Sequence, residues 1–152
     1  MLEEYRVRFG DVKIKVEDYE LVVRIESEND IYLARQMIKS FAEKSGFPLA
    51  DVTKVATAVS ELARNIYRYA KKGYIYARTK YRDDELILEV VAYDEGPGIP
   101  DVEKALSRGY TTFQRSLGLG LSGIKRLMDS FFIASEVGKG TVVIVEKGKR
   151  RI

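Results

Sequence analysis

The 152-residue chain contains no cysteine, no histidine and no tryptophan, and only three prolines. Without cysteine there are no disulfides, thiol nucleophiles or thiolate metal sites. Without histidine there is no imidazole base, no imidazole metal ligand and no phospho-acceptor histidine on this chain. If there is acid–base catalysis, a carboxylate is then the expected base. No apolar run approaches the ~20 residues needed to span a bilayer, and no secretory segment follows Met1. A cytoplasmic location without a membrane partner is therefore expected. The formal net charge is only +3, from 26 basic and 23 acidic residues. The clearest basic cluster lies at 147–151. A basic stripe interleaved with aromatics is missing, so nucleic acid is not the expected partner.

What is present reads as one globular domain. Hydrophobic residues make up 45% and charged residues 32%, ordinary proportions for a folded protein of this length. Strands are expected over 5–9, 12–16 and 21–25, with Gly10-Asp11 as a turn. Asn29 or Asp30 is the expected cap of a helix to residue 44, with Ile31, Ala34, Ile38 and Phe41 on one face. A longer helix is expected over 50–70, where Val52, Val55, Val59, Leu62, Ala63 and Ile66 recur at helical spacing. Gly73 ends it, and strands over 74–81 and 85–93 are joined by Arg82-Asp83-Asp84. An irregular stretch over 94–117 holds one short helix near 102–106. A helix over 120–129 and strands over 131–137 and 141–146 complete the chain. The order is that of an α+β fold with a mostly antiparallel sheet and helices on one face.

Three stretches carry the chemistry. In the strand ending at Asp94, Leu86, Leu88, Val90 and Ala92 share one side, and Glu89 and Tyr93 the other. The first side is the expected core face, so Asp94 points inward, where a carboxylate needs hydrogen-bond donors. Gly96 and Gly98 follow it, either as a strand-end turn or as a backbone that passes close to a ligand. In the long helix, Glu61 and Asn65 stack on one face with Arg68 one turn on. They are either a solvated helix face or a carboxylate base and an oxygen ligand for a hard cation. Gly118-Leu119-Gly120-Leu-Ser-Gly123 matches G-x-G-x-x-G and opens a helix, which suits phosphate. No strand precedes it, and Lys125 is misplaced for a Walker A loop, so neither a Rossmann nor a P-loop site is expected.

The order of these boxes resembles the Bergerat (GHKL) ATP-binding superfamily, over roughly residues 21–147. Histidine kinases of that superfamily carry a phospho-acceptor histidine, and gyrase-like members carry a transducer domain for which there is no room. The stretches Ser60-Glu-Leu-Ala-Arg-Asn-Ile-Tyr-Arg-Tyr-Ala70, 94–100, Gly109-Tyr-Thr-Thr112 and Lys125-Arg-Leu-Met-Asp129 resemble the stand-alone anti-sigma-factor and switch-kinase branch. Within it they are more similar to the stressosome switch kinases (RsbT type) than to the anti-sigma factors.

The resemblance implies an ATP- and Mg²⁺-dependent serine/threonine kinase of a partner-switching pathway. Its substrate would be a small antagonist (STAS-type) or scaffold protein, and its further partner a downstream phosphatase or sigma-factor regulator. The alternative it carries is a non-catalytic, ATP-gated anti-sigma or switch module; homodimerisation is compatible with both. By the same resemblance, Asp94 accepts from the adenine amino group with help from Thr141, and Gly96 and Gly98 let the loop wrap the nucleotide. Asn65 ligates Mg²⁺, Glu61 is the base, and Gly118, Leu119 and Gly120 hold phosphates. Residues 107–117 form an ATP lid in which Arg115 or Arg108 reaches the γ-phosphate, and Arg68 is a further nucleotide-binding residue. Residues 1–18 are extra strand-like material ahead of the ATP-binding domain at 19–152, with no role assigned.

Overall fold

The computed structural model describes residues 7–107 and 120–150. Among these residues seven strands and four α-helices follow in the order β1 (Val7–Phe9), β2 (Val12–Ile14), β3 (Leu21–Ile25), α1 (Glu28–Lys44), α2 (Leu49–Asn65), β4 (Gly73–Arg82), β5 (Glu85–Asp94), α3 (Val102–Leu106), α4 (Gly120–Leu127), β6 (Ser130–Glu136) and β7 (Gly140–Arg150). Strands β3-β4-β5-β7-β6 form one five-stranded sheet, antiparallel at every described pairing. This gives the α+β class expected, with a sheet that was expected to be mostly antiparallel.

Helix α1 starts two or three residues earlier than a cap at Asn29 or Asp30 implies. Its cap is Ser27, whose hydroxyl accepts the Asp30 N–H at 3.3 Å. Asp30, expected as the cap, reaches back to accept the Glu26 N–H at 2.9 Å. Ser27 thereby serves one of the N–H groups that a helix start leaves without an intrahelical partner, and Asp30 ties the residue before the cap to the first turn. Helix α2 runs regularly to Asn65 and then widens into one π-helical turn over Ile66–Ala70. Lys71 takes φ +75° and turns the chain into β4.

The core lies between the helices and one face of the sheet. Ile31, Ala34 and Ile38 of α1 and Val52, Val55, Val59 and Leu62 of α2 bury there against Leu88, Val90 and Ala92 of β5. Each of the valine, leucine and isoleucine side chains among them contributes about 1.5–3 kcal/mol over leaving it in water. Phe41, expected on the same stripe, is only partly buried, and Ala42 takes the fully buried position.

The other side of β5 is not left to solvent. Val91 and Tyr93 are buried with Tyr76 and Val142 beneath Phe9 and Ile14 of the β1–β2 hairpin. That hairpin pairs with itself and not with the large sheet. Behind it, the Tyr19 hydroxyl donates to Glu89 Oε1 at 3.3 Å, and the Arg78 guanidinium lies 4.7 Å over the Tyr19 ring. Arg78 Nε also bonds Glu89 Oε1 at 2.6 Å, so this 6%-exposed carboxylate is paired. The N-terminal residues thus cover the outer sheet face and turn a one-sided strand into a two-sided one.

If that cover is a packed part of the fold, Ile14→Ala should destabilise the protein by about 2–4 kcal/mol, the usual range for truncating a buried isoleucine. Urea unfolding should show a lower midpoint at an unchanged slope. A loss under about 0.5 kcal/mol, the size of an ordinary surface change, would mean the hairpin does not pack.

Candidate active site

A cleft opens where β5 ends and β7 begins, between α2, the loop after Asp94, α3 and the start of α4. It is lined by Glu61, Leu62, Asn65, Ile66 and Tyr69 from the α2 side, by Ala92, Asp94, Thr141 and Val143 from the sheet, and by Pro97, Gly98, Ile99, Ala105, Gly120 and Leu121. The walls are mostly apolar, with a few convergent polar groups, the usual make-up of a small-molecule site.

Sheet register sets the floor. Asp94 sits opposite Gly73 on one side and Thr141 on the other. The Gly96 N–H donates to Asp94 Oδ1 at 2.9 Å. Burial pushes the Asp94 carboxyl above the ordinary aspartate value, and the backbone N–H groups of Gly96 and Thr141 hold it back. Glu95 turns away, accepting the Tyr93 hydroxyl at 2.7 Å. The chain then doubles back through Gly98, which has φ +79° and lies against the Glu136 carbonyl, where a Cβ has no room. Gly140 presses on the Asp94 carbonyl in the same way. These contacts let loop and hairpin close around the end of β5.

Helix α2 supplies the opposite wall. Glu61 is 6% exposed, so it is not part of a solvated face. Arg64 bonds its Oε1 at 2.8 Å, while Oε2 is buried and has no hydrogen-bond partner. Burial raises the Glu61 carboxyl above the ordinary glutamate value, and the charges of Arg64 and Arg68 partly offset this. A buried acceptor left unpaired is costly and calls for a reason such as a catalytic role.

Asn65 lies one turn on and lines the same cleft. Arg68 does not line it; the wide π turn carries the cleft-facing position on to Tyr69. Such turns are frequent at functional sites.

The structure therefore brings Glu61, Asn65, Asp94, Gly98, Gly120 and Thr141 to one cleft, with Gly96 bonded to Asp94 at its edge. Gly118, Leu119, Arg115 and Arg108, with the lid expected over 107–117 beyond its first residue, lie outside the described residues. Four contributors had no signal in local sequence: Tyr69, Ile99, Ser135 and Gly140. Ser135 holds the loop by accepting the Ile99 N–H at 2.8 Å and sits 2.7 Å from the Thr141 hydroxyl. Among the described residues no group of three or more Asp and Glu side chains could cage a metal ion. No described helix is long and apolar enough to cross a membrane.

Residues 26–147 match the family described as Histidine kinase-like ATPase domain. The chain is 46% identical over 121 residues to the protein named Serine/threonine-protein kinase RsbT of Bacillus subtilis, covering 80% of this chain and 90% of that one. It is 37% identical over 134 residues to an anti-sigma F factor of Clostridium acetobutylicum, covering 84% and 91%. Among solved structures, the RsbU and RsbW domains of Rv1364c from Mycobacterium tuberculosis superpose with a TM-score of 0.55 at 17% identity, over 86% of this chain. This chain spans only 33% of that one. The catalytic domain of histidine kinase ThkA superposes at 0.50 with 18% identity, covering 85% and 96%. At such identities the structural likeness bears on the fold alone.

The Glu61 environment has a measurable signature. Its folded pKa lies above the unfolded one, so its neutral form stabilises the fold fully below the ordinary glutamate value. That contribution is lost as pH rises through the raised value. Glu61→Gln should therefore be at least as stable as the native protein at about pH 8, with the gain gone near about pH 4. Urea unfolding at the two pH values checks this, and a variant that is less stable at both contradicts the assignment.

Proposed function

Because the chain belongs to the histidine kinase-like ATPase family, we propose that it transfers the γ-phosphoryl group of ATP to a serine or threonine on a small protein partner. The fold, the 46% identity to a named serine/threonine-protein kinase and the cleft all support this. The observation that carries it is Glu61 Oε2, a buried and unpaired carboxylate oxygen on a residue that lines the cleft with Asp94.

In this reading the base of the nucleotide sits between the apolar walls, with its amino group donating to Asp94. The Gly96 N–H keeps the other side of that carboxylate occupied and oriented. Asn65 is the protein ligand for Mg²⁺, which spreads the charge of the phosphates when bound. A single carboxamide suits this ion, because Mg²⁺ is commonly held by one or two protein oxygens together with substrate phosphates and water. The N-terminus of α4 at Gly120 offers backbone N–H groups to a phosphate.

The reacting hydroxyl belongs to the partner. Its oxygen forms the new bond to the γ-phosphorus as the bond to the bridging oxygen of ADP breaks. Its proton passes to Glu61, whose carboxylate burial makes more basic than an ordinary glutamate. Phosphoryl transfer depends mainly on positioning and charge neutralisation, so one carboxylate suffices without histidine or cysteine.

The partner is a small antagonist or scaffold protein of a partner-switching pathway, and a phosphatase or sigma-factor regulator acts downstream. A second reading comes from the anti-sigma F factor relative, 37% identical. In it ATP gates the binding of a partner, and Glu61 is dispensable.

Incubation with labelled ATP, Mg²⁺ and candidate antagonist proteins should yield phosphoserine or phosphothreonine on the partner. Glu61→Ala should keep ATP affinity within about threefold and lower transfer by about 10²–10⁴, the usual worth of a general base. A variant that still transfers at the native rate points to the gating reading. Asp94→Asn should abolish measurable ATP binding while the urea midpoint stays near native, and unchanged affinity would remove Asp94 from the site.

A further inference from the structure

Thr141 forms the cleft wall beside Asp94, and what its hydroxyl offers a bound base is set by the side chain behind it. Ser135 Oγ, on edge strand β6, accepts the Ile99 N–H at 2.8 Å. It also lies 3.0 Å from the carbonyl oxygen of Gly140 and 2.7 Å from Thr141 Oγ1. A hydroxyl has one hydrogen, and a carbonyl can only accept. When Ser135 donates to Gly140, the 2.7 Å contact must use the hydrogen of Thr141. Each hydrogen is then spent once and each acceptor is served, the state that buried polar groups adopt. The opposite sense leaves the carbonyl of Gly140, a buried residue, facing serine lone pairs.

We infer that Ser135 determines which purine the cleft accepts: it consumes the Thr141 hydrogen, so Thr141 and Asp94 together present only acceptors. Two acceptors side by side favour a base with an amino group at its six-position. A six-position carbonyl would set lone pairs against lone pairs. Without Ser135, the Thr141 hydroxyl is free to turn its hydrogen into the cleft and donate to such a carbonyl. The inference rests on the nucleotide reading above and names the group that sets base choice within it.

Ser135 touches the loop as well as Thr141, so its loss also weakens the Ile99 anchor. That effect acts on every nucleotide equally, and the discriminating quantity is therefore a ratio. Calorimetric titration of the full-length chain with ATP and with inosine triphosphate, which differs at the six-position and its neighbouring ring nitrogen, measures it. The native protein should prefer ATP. Ser135→Ala should narrow that preference by about fivefold or more, the worth of one net hydrogen bond. Ser135→Thr, which keeps a hydroxyl on the same carbon, should restore it. Equal weakening of both nucleotides by Ser135→Ala, or a native protein without preference, overturns the inference. A native protein that binds neither nucleotide overturns instead the nucleotide reading on which it rests.

Discussion

Strand β5 is buried on both faces, and the two faces are chemically different. Leu88, Val90 and Ala92 meet the helices, while Glu89, Val91 and Tyr93 meet the N-terminal cover. A register slip of one residue would exchange the sets, driving Glu89 into the helix-side core and breaking its 2.6 Å bond to Arg78. That penalty locks the strand, and the lock is what the cleft depends on. With β5 fixed, Asp94 can only emerge between Gly73 and Thr141. Helix α2 packs on the same face, and so Glu61 and Asn65 come to it from above.

The site is also where the fold departs from its own local rules. A carboxylate oxygen is buried without a partner, a second carboxyl is held half-buried at a strand end, and a helix widens into a π turn. Gly98 and Gly140 allow backbone contacts that a side chain would forbid. Away from the cleft, Glu146 bonds Arg82 through both oxygens, which holds its carboxyl down at about 2. Such concentration of strain and unmet hydrogen bonding is the pattern expected of a working site in an otherwise consistent fold.

Much of this was legible in sequence, because the relevant signals are local. Strand Leu21–Ile25 and helix Val102–Leu106 fall where alternation and turn residues place them. The apolar face of α2 follows from its spacing alone. What local pattern could not carry is what depends on distant partners. Glu61 alone reads as a residue of a solvated helix face or as a carboxylate base, and only the closed cleft decides between them. Outer-face burial of Tyr93 and Glu89 needs the N-terminal hairpin to fold back over the sheet. The π turn leaves no periodic trace in five residues, so Tyr69 was passed over for Arg68. Ser27 was passed over for Asn29 and Asp30, although serine followed three residues later by an acid is itself a capping pattern. Ser135 and Gly140 act only through contacts across the hairpin.

The central claim is that a buried, half-paired carboxylate is the base of a phosphoryl transfer assembled at the end of β5. The pH dependence of single-turnover transfer from bound ATP to a phosphorylatable partner tests it most directly. The expected rate rises with pH through an apparent pKa above the ordinary glutamate value and then levels off, with that limb absent in Glu61→Gln. A native profile that the substitution leaves unchanged in shape and height would contradict it.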